Sequence, residues 1–140
     1  MTVPIAGGCL CGAVRYASSK EPIFTANCHC RDCQRSSGGA YVSVFMVPNE
    51  GLQVTGTLTY YDVIADSGNT FSRGFCGTCG TPLFGKSSGM PAGTIIKAGT
   101  LDDASWYRPA LDIFTASAQP WACMNPELPK FPRSPRGPAG

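Results

Sequence analysis

Histidine and charge are both scarce in this chain: one histidine, and 14% of residues charged, with a net charge of +2. So little charge leaves no basic stripe for gripping nucleic acid or a membrane surface, and no partner of either kind is expected. Also missing are a run of about 18 apolar residues, which a membrane span needs, and an opening basic region followed by an apolar one. The start, "MTVPIAGGCLCG", is therefore not read as a signal peptide, and a cytoplasmic protein is expected. Long helical periodicity is absent as well. What is abundant is glycine (17), proline (12) and cysteine (8). The first two favour turns and short strands. Cysteine in a reducing compartment points to metal, with a disulfide-stapled domain as the alternative.

At 140 residues the chain is long enough for one buried core. Segments rich in Val, Ile, Thr, Tyr and Phe recur at 13–16, 40–47, 57–64, 71–75, 93–101 and 110–116. They predict a mostly β domain over 1–124. One helix signal stands out, "DCQRSSGG" at 32–39, with Asp32 as N-cap and Gly38 or Gly39 ending about one turn after Cys33. Residues 125–140 form a Pro-rich basic tail. Pro126, Pro129, Pro132, Pro135 and Pro138 recur every third residue, so in polyproline II they share one edge, with Lys130, Arg133 and Arg136 on another. Such an arm docks on a partner, stays solvated, or lies across its own domain.

Seven of the cysteines fall into three groups: Cys9 with Cys11, then Cys28, Cys30 and Cys33, then Cys76 with Cys79. "FCGTCGTP" has the spacing of a zinc knuckle, which offers two thiolates where a structural zinc takes four. Cys9 and Cys11 are natural donors of the other pair, since residues i and i+2 face the same way on a strand. The remaining group, "CHCRDC", then holds a metal alone. Alternation turns His29 away from Cys28 and Cys30, into packing or a supporting role, while Cys33 returns through the C-x-x-C turn near the start of the helix. Three protein ligands plus an exchangeable position distinguish catalytic zinc from structural zinc. Spacing alone leaves other pairings open, and Cys123 is an alternative fourth ligand.

The order "GGCLCGAVRY…CHCRDCQRSSGGAYVSVF…FSRGFCGTCGTPLF…QPW" resembles the glutathione-dependent formaldehyde-activating enzyme family, which includes centromere protein V, from about Gly7 to Trp121. The resemblance implies small coiled β-sheets, a β-tent, and two zinc ions per chain. It implies that Cys9, Cys11, Cys76 and Cys79 hold the structural ion, and that Cys28, Cys30 and Cys33 hold a catalytic ion, whose site is the more labile. The implied activity is that of a carbon–sulfur lyase, an S-(hydroxymethyl)glutathione synthase-like zinc enzyme joining a small-molecule thiol such as glutathione to a small aldehyde. A non-catalytic zinc-stabilised module binding a thiol ligand or protein partner is the alternative. Arg31, Arg35 and the backbone N–H groups of 36–39 are candidates for steering an anionic tripeptide. Many members carry a histidine where this chain has Asp112 in "ALDIF". A homodimer is left open.

Overall fold

The computed structural model describes residues 4–135, and the chain is mostly β, as its composition predicts. Three strands make a small antiparallel sheet: β1 (Ile5–Gly8), β2 (Arg15–Ser18) and β5 (Leu52–Thr55), in the order β1-β2-β5. Seven make a large one: β3 (Phe24–Cys28), β4 (Val42–Pro48), β6 (Leu58–Ile64), β7 (Thr70–Cys76), β8 (Pro82–Ser87), β9 (Gly93–Lys97) and β10 (Asp112–Ile113). Their order is β10-β3-β4-β9-β8-β7-β6, antiparallel except for the short β10–β3 pair. The one α-helix among the described residues, α1 (Arg31–Ser37), follows β3.

The apolar run "VFMV" explains the layering. Val44, Phe45, Met46 and Val47 are all buried, so β4 has protein on both faces. Phe45 and Val47 join Phe84 and Ile96 in the main core, which packs against Ile5, Val14 and Tyr16 from the small sheet side. Phe45 meets Trp106 edge-on, with ring centroids 5.8 Å apart. Val44 instead belongs to a second cluster on the other face, with Ala26, Cys28, Cys33 and Ile113. The Tyr107 hydroxyl reaches the carbonyls of Ala26 at 3.0 Å and Val44 at 2.8 Å, pinning β3 to β4.

Four strands lie outside the segments predicted from composition: β1, β3, β5 and β8. Gly7 in β1 has a direct reason to be there: a β-carbon at this position would lie 2.5 Å from the Tyr16 hydroxyl and 2.2 Å from the Thr100 carbonyl oxygen. The glycine lets two backbones approach, which propensity scores as a strand breaker. The helix also differs from expectation. It begins at Arg31, before Asp32, and its N-cap is Cys30, whose sulfur accepts the Cys33 N–H at 3.2 Å. It runs seven residues before Gly38, at φ 77°, ends it.

The tail takes the last of its three courses as far as Pro135; Arg136 and Pro138 lie outside the described residues. Asp112 N–H donates to Pro129 O and Phe131 N–H to Asp112 O, both at 2.9 Å, so 129–131 run alongside β10. Phe131 packs against the second cluster.

Truncating Phe45 to alanine should lower stability by ~3–5 kcal/mol, because the site is wholly enclosed. Tyr61→Ala, on an exposed position of β6, should shift it by no more than ~0.5 kcal/mol. Urea midpoints of both variants check this; a Phe45 loss below ~1 kcal/mol would contradict the core described above.

Candidate metal centres

Both β-hairpins of the first cysteine set carry their thiols in the turn. Cys9 and Cys11 follow β1, and the loop closes through Cys9 N–H to Val14 O at 3.0 Å, with Gly12 at φ 82°. Convergence here comes from a turn and not, as expected, from strand alternation. Cys76 ends β7, and Cys79 lies in the loop before β8, closed by Gly80 N–H to Cys76 O at 2.8 Å. Gly80, at φ 79°, permits the tight turn. The four sulfurs all lie within 4.8 Å of one another. Cys11 Sγ is 3.6 Å from Cys9 Sγ and 3.8 Å from Cys76 Sγ. A tetrahedral zinc with 2.3 Å bonds separates its sulfurs by about 3.8 Å, so this donor set fits such an ion. Hydrogen bonds from the Thr81 side chain and backbone pull the Cys79 thiol down to about 5.

The second cluster forms where β3 hands over to α1. Cys28 closes the strand, Cys30 caps the helix and Cys33 sits in its first turn, and the three sulfurs again lie within 4.8 Å. All eight cysteines are free thiols. Cys123 is exposed and joins neither cluster. Two groups that could each hold a soft metal ion are therefore present, one with four thiols and one with three. Within the trio the Cys28 and Cys30 thiols donate to Cys33 and hold it far below the usual thiol range, with the Lys97 and Arg73 charges adding to this. Cys28 is pushed up correspondingly.

His29 takes the opposite side, as alternation requires. Fully buried, it donates from Nε2 to Asp112 Oδ1 at 3.0 Å and stacks near Tyr41, 5.0 Å between centroids. Asp112, where a histidine was expected, thus anchors the histidine of this chain, and its other oxygen lies 3.7 Å from Lys130 Nζ. The backbone beside the trio is braced by Gln34, which donates to His29 O at 2.7 Å and Ser117 O at 3.0 Å.

Two cations beside Cys33 escaped the sequence reading. Arg73 on β7 has its guanidinium 3.9 Å from Cys33 Sγ and 3.5 Å from Ser36 Oγ. Burial works against its charge, and the Cys33 thiolate outweighs that and raises its pKa. Lys97 on β9 is 7% exposed, and burial lowers its pKa against the pull of Cys33. Among the described residues no carboxylate forms an ion pair with either. The available signal was a lone charge inside an apolar strand, in "FSRGF" and "GTIIK". The cations that were named fare differently. Arg31 donates to Gln34 Oε1 and borders the cavity next to the cluster, while Arg35 is exposed and does not. The N–H groups of Gly38 and Gly39 are not free to steer a ligand: they bond Gln34 O at 2.8 Å and Ser37 Oγ at 3.1 Å.

The sequence profile of the glutathione-dependent formaldehyde-activating enzyme family matches residues 4–117. The fold is similar to that of a Rhodobacter sphaeroides protein of known crystal structure, with TM-score 0.57, 20% identity, and coverage of 89% of this chain and 98% of that one. No curated protein matches the chain significantly.

Cobalt(II) added to the reduced protein should bind at two thiolate-rich sites, read from sulfur-to-cobalt charge-transfer absorption. Cys30→Ser should keep one site and the wild-type β signature in circular dichroism. Cys76→Ser should also keep one, but melt well below wild type, because its cluster ties two hairpins together. Equal loss of fold in both variants would show that the two clusters do not differ in structural weight.

Proposed function

As the chain belongs to the glutathione-dependent formaldehyde-activating enzyme family, we propose that it is a zinc-dependent carbon–sulfur lyase or synthase that forms and cleaves thiol–aldehyde adducts. Cys9, Cys11, Cys76 and Cys79 hold the structural zinc in this reading, and Cys28, Cys30 and Cys33 the catalytic one. The observation that carries it is the difference between the two clusters. The first offers four sulfurs, a full donor set for a tetrahedral ion. The second presents three sulfurs, at the end of a cavity, next to the buried Lys97 and the half-buried Arg73. Cys28, Cys30 and Cys33 would hold the zinc, which would supply the Lewis acidity that lowers the pKa of a substrate thiol.

The surrounding residues account for the rest. Three thiolates leave a divalent ion with one net negative charge, which would repel an incoming anion. Arg73 and Lys97 reverse that sign, so an anionic thiol substrate such as glutathione is drawn in. Both cations are held near Cys33 in a partly dehydrated setting, where they are also positioned to stabilise negative charge growing on the carbonyl oxygen during addition. The step balances without a redox partner. The sulfur electron pair forms the S–C bond, the C=O π pair moves to oxygen, and the proton released by the thiol returns there. His29 stays out of this chemistry; its bond to Asp112 fixes the segment between Cys28 and Cys30.

Zinc-loaded protein should accelerate hemithioacetal formation from glutathione and formaldehyde above the spontaneous rate, followed by NMR exchange between free aldehyde and adduct. Arg73→Ala should lower kcat/KM by about ten- to a hundredfold with two zinc ions retained. A rate equal to background across several thiols would sink the enzyme reading, and thiol binding without turnover would favour the non-catalytic module.

A further inference from the structure

The cavity beside the three-thiol cluster measures about 810 Å³. Its floor is the second face of the large sheet. Phe24, Met46 and Ile95 are cross-strand neighbours in one row, and Val44 stands opposite Lys97 in the next. The row continues to Gly85, paired with Ile95. There the ring of Phe71 occupies the space a side chain would take, 2.5 Å from where a β-carbon would stand. Arg73 lies over that same ring at 4.8 Å. The apolar floor therefore runs unbroken up to the guanidinium beside Cys33. Charge is kept to the margins. Lys97 and Arg73 stand at the cluster end, Arg31 and Asp32 are exposed on α1, and Asp66 and Arg133 at the far rim pair with each other at 3.6 Å.

This shape does not match formaldehyde, which needs little more room than a water molecule, about 30 Å³. Nor does the row of Phe24, Met46 and Ile95 suit the carboxylates of a tripeptide, which would lose hydration there, whereas the donors of the cavity, Lys97, Arg73, Ser87 and Ser117 among them, stand around that row. We infer that the aldehyde handled at this site carries a hydrocarbon body, a medium-chain or aromatic aldehyde, laid on Val44, Met46 and Ile95 with its carbonyl between Arg73 and Lys97. The inference rests on the thiol–aldehyde reading above and names the electrophile that reading leaves open. The thiol enters from the cluster side, and its charged groups meet the cations at the margins.

Binding can be separated from turnover with unreactive probes. Calorimetry of butan-1-ol, hexan-1-ol and octan-1-ol on the zinc-loaded full chain should show affinity rising about fourfold for each methylene. Ile95→Trp, which fills the floor, and Ile95→Asp, which charges it, should each weaken octanol at least about tenfold. Zinc content and melting temperature are recorded for both, and because Ile95 is half-buried and borders the cavity at least one of the two variants is expected to fold as wild type. With glutathione as the thiol, kcat/KM for hexanal should exceed that for formaldehyde by at least about tenfold. Alkanol affinity independent of chain length, or unchanged in both Ile95 variants, overturns the inference. Turnover of formaldehyde with flat alkanol binding overturns it alone and leaves the enzyme reading standing. Chain-length-dependent binding with no turnover of any aldehyde overturns the enzyme reading, and the aldehyde with it.

Discussion

Four thiols within 4.8 Å of one another are the constraint on which the rest of this molecule hangs. As thiolates they would repel, and a cation at their centre would turn that repulsion into a bond between two hairpins. One hairpin, β1–β2, belongs to the small sheet; the other, β7–β8, belongs to the large one. The join therefore sets where the small sheet lies against the large, and the core of Phe45, Phe84, Ile96 and Tyr16 fills the space between. Hydrophobic burial supplies most of the stability there, but it is not directional. The sulfur cluster supplies the direction.

The two clusters communicate through one strand. Cys76 and Arg73 lie three residues apart on β7, so alternation puts them on opposite faces. Cys76 faces the main core and the four-thiol cluster. Arg73 faces the second layer and Cys33. Neighbouring strands repeat the division: Ile96 enters the main core, while Ile95 and Lys97 turn to the cavity. A single sheet thus carries its structural core on one face and its candidate chemistry on the other. The strand that ends in the four-thiol cluster thus also carries the cation that faces the three-thiol one.

Much of this was legible in the residues. The apolar runs of β4, β6 and β7 carry strong strand propensity and were found within a residue or two of their observed ends, while β9 starts where expected but stops at Lys97, four residues short of the expected Leu101. Three of the four missed strands share a cause. β1 contains paired glycines, β8 holds Pro82 and Gly85, and β3 has Ala26 and Asn27, so each looks weak locally and is held by its partners. Gly7 and Gly85 illustrate this well, since each makes room for a ring of a paired strand, Tyr16 and Phe71, and Gly7 also for the Thr100 carbonyl. The placement of His29 away from the thiols also followed from alternation. What it would touch did not: the pairing with Asp112 spans 83 residues.

By itself, the sequence determined the mostly β class, the grouping of seven cysteines by spacing, and the exclusion of His29 from the three-thiol cluster. These depend on local rules: side-chain period, turn chemistry and the ligand number of a soft ion. Only the tertiary structure decided that Cys123 stands apart, that the tail runs beside β10, that Arg73 reaches Cys33, and that Lys97 comes within range of its charge. Each of those depends on contacts between segments tens of residues apart, through packing that no local pattern encodes. The cavity floor is the clearest case, because five strands contribute to it and none does so in a way its own sequence reveals.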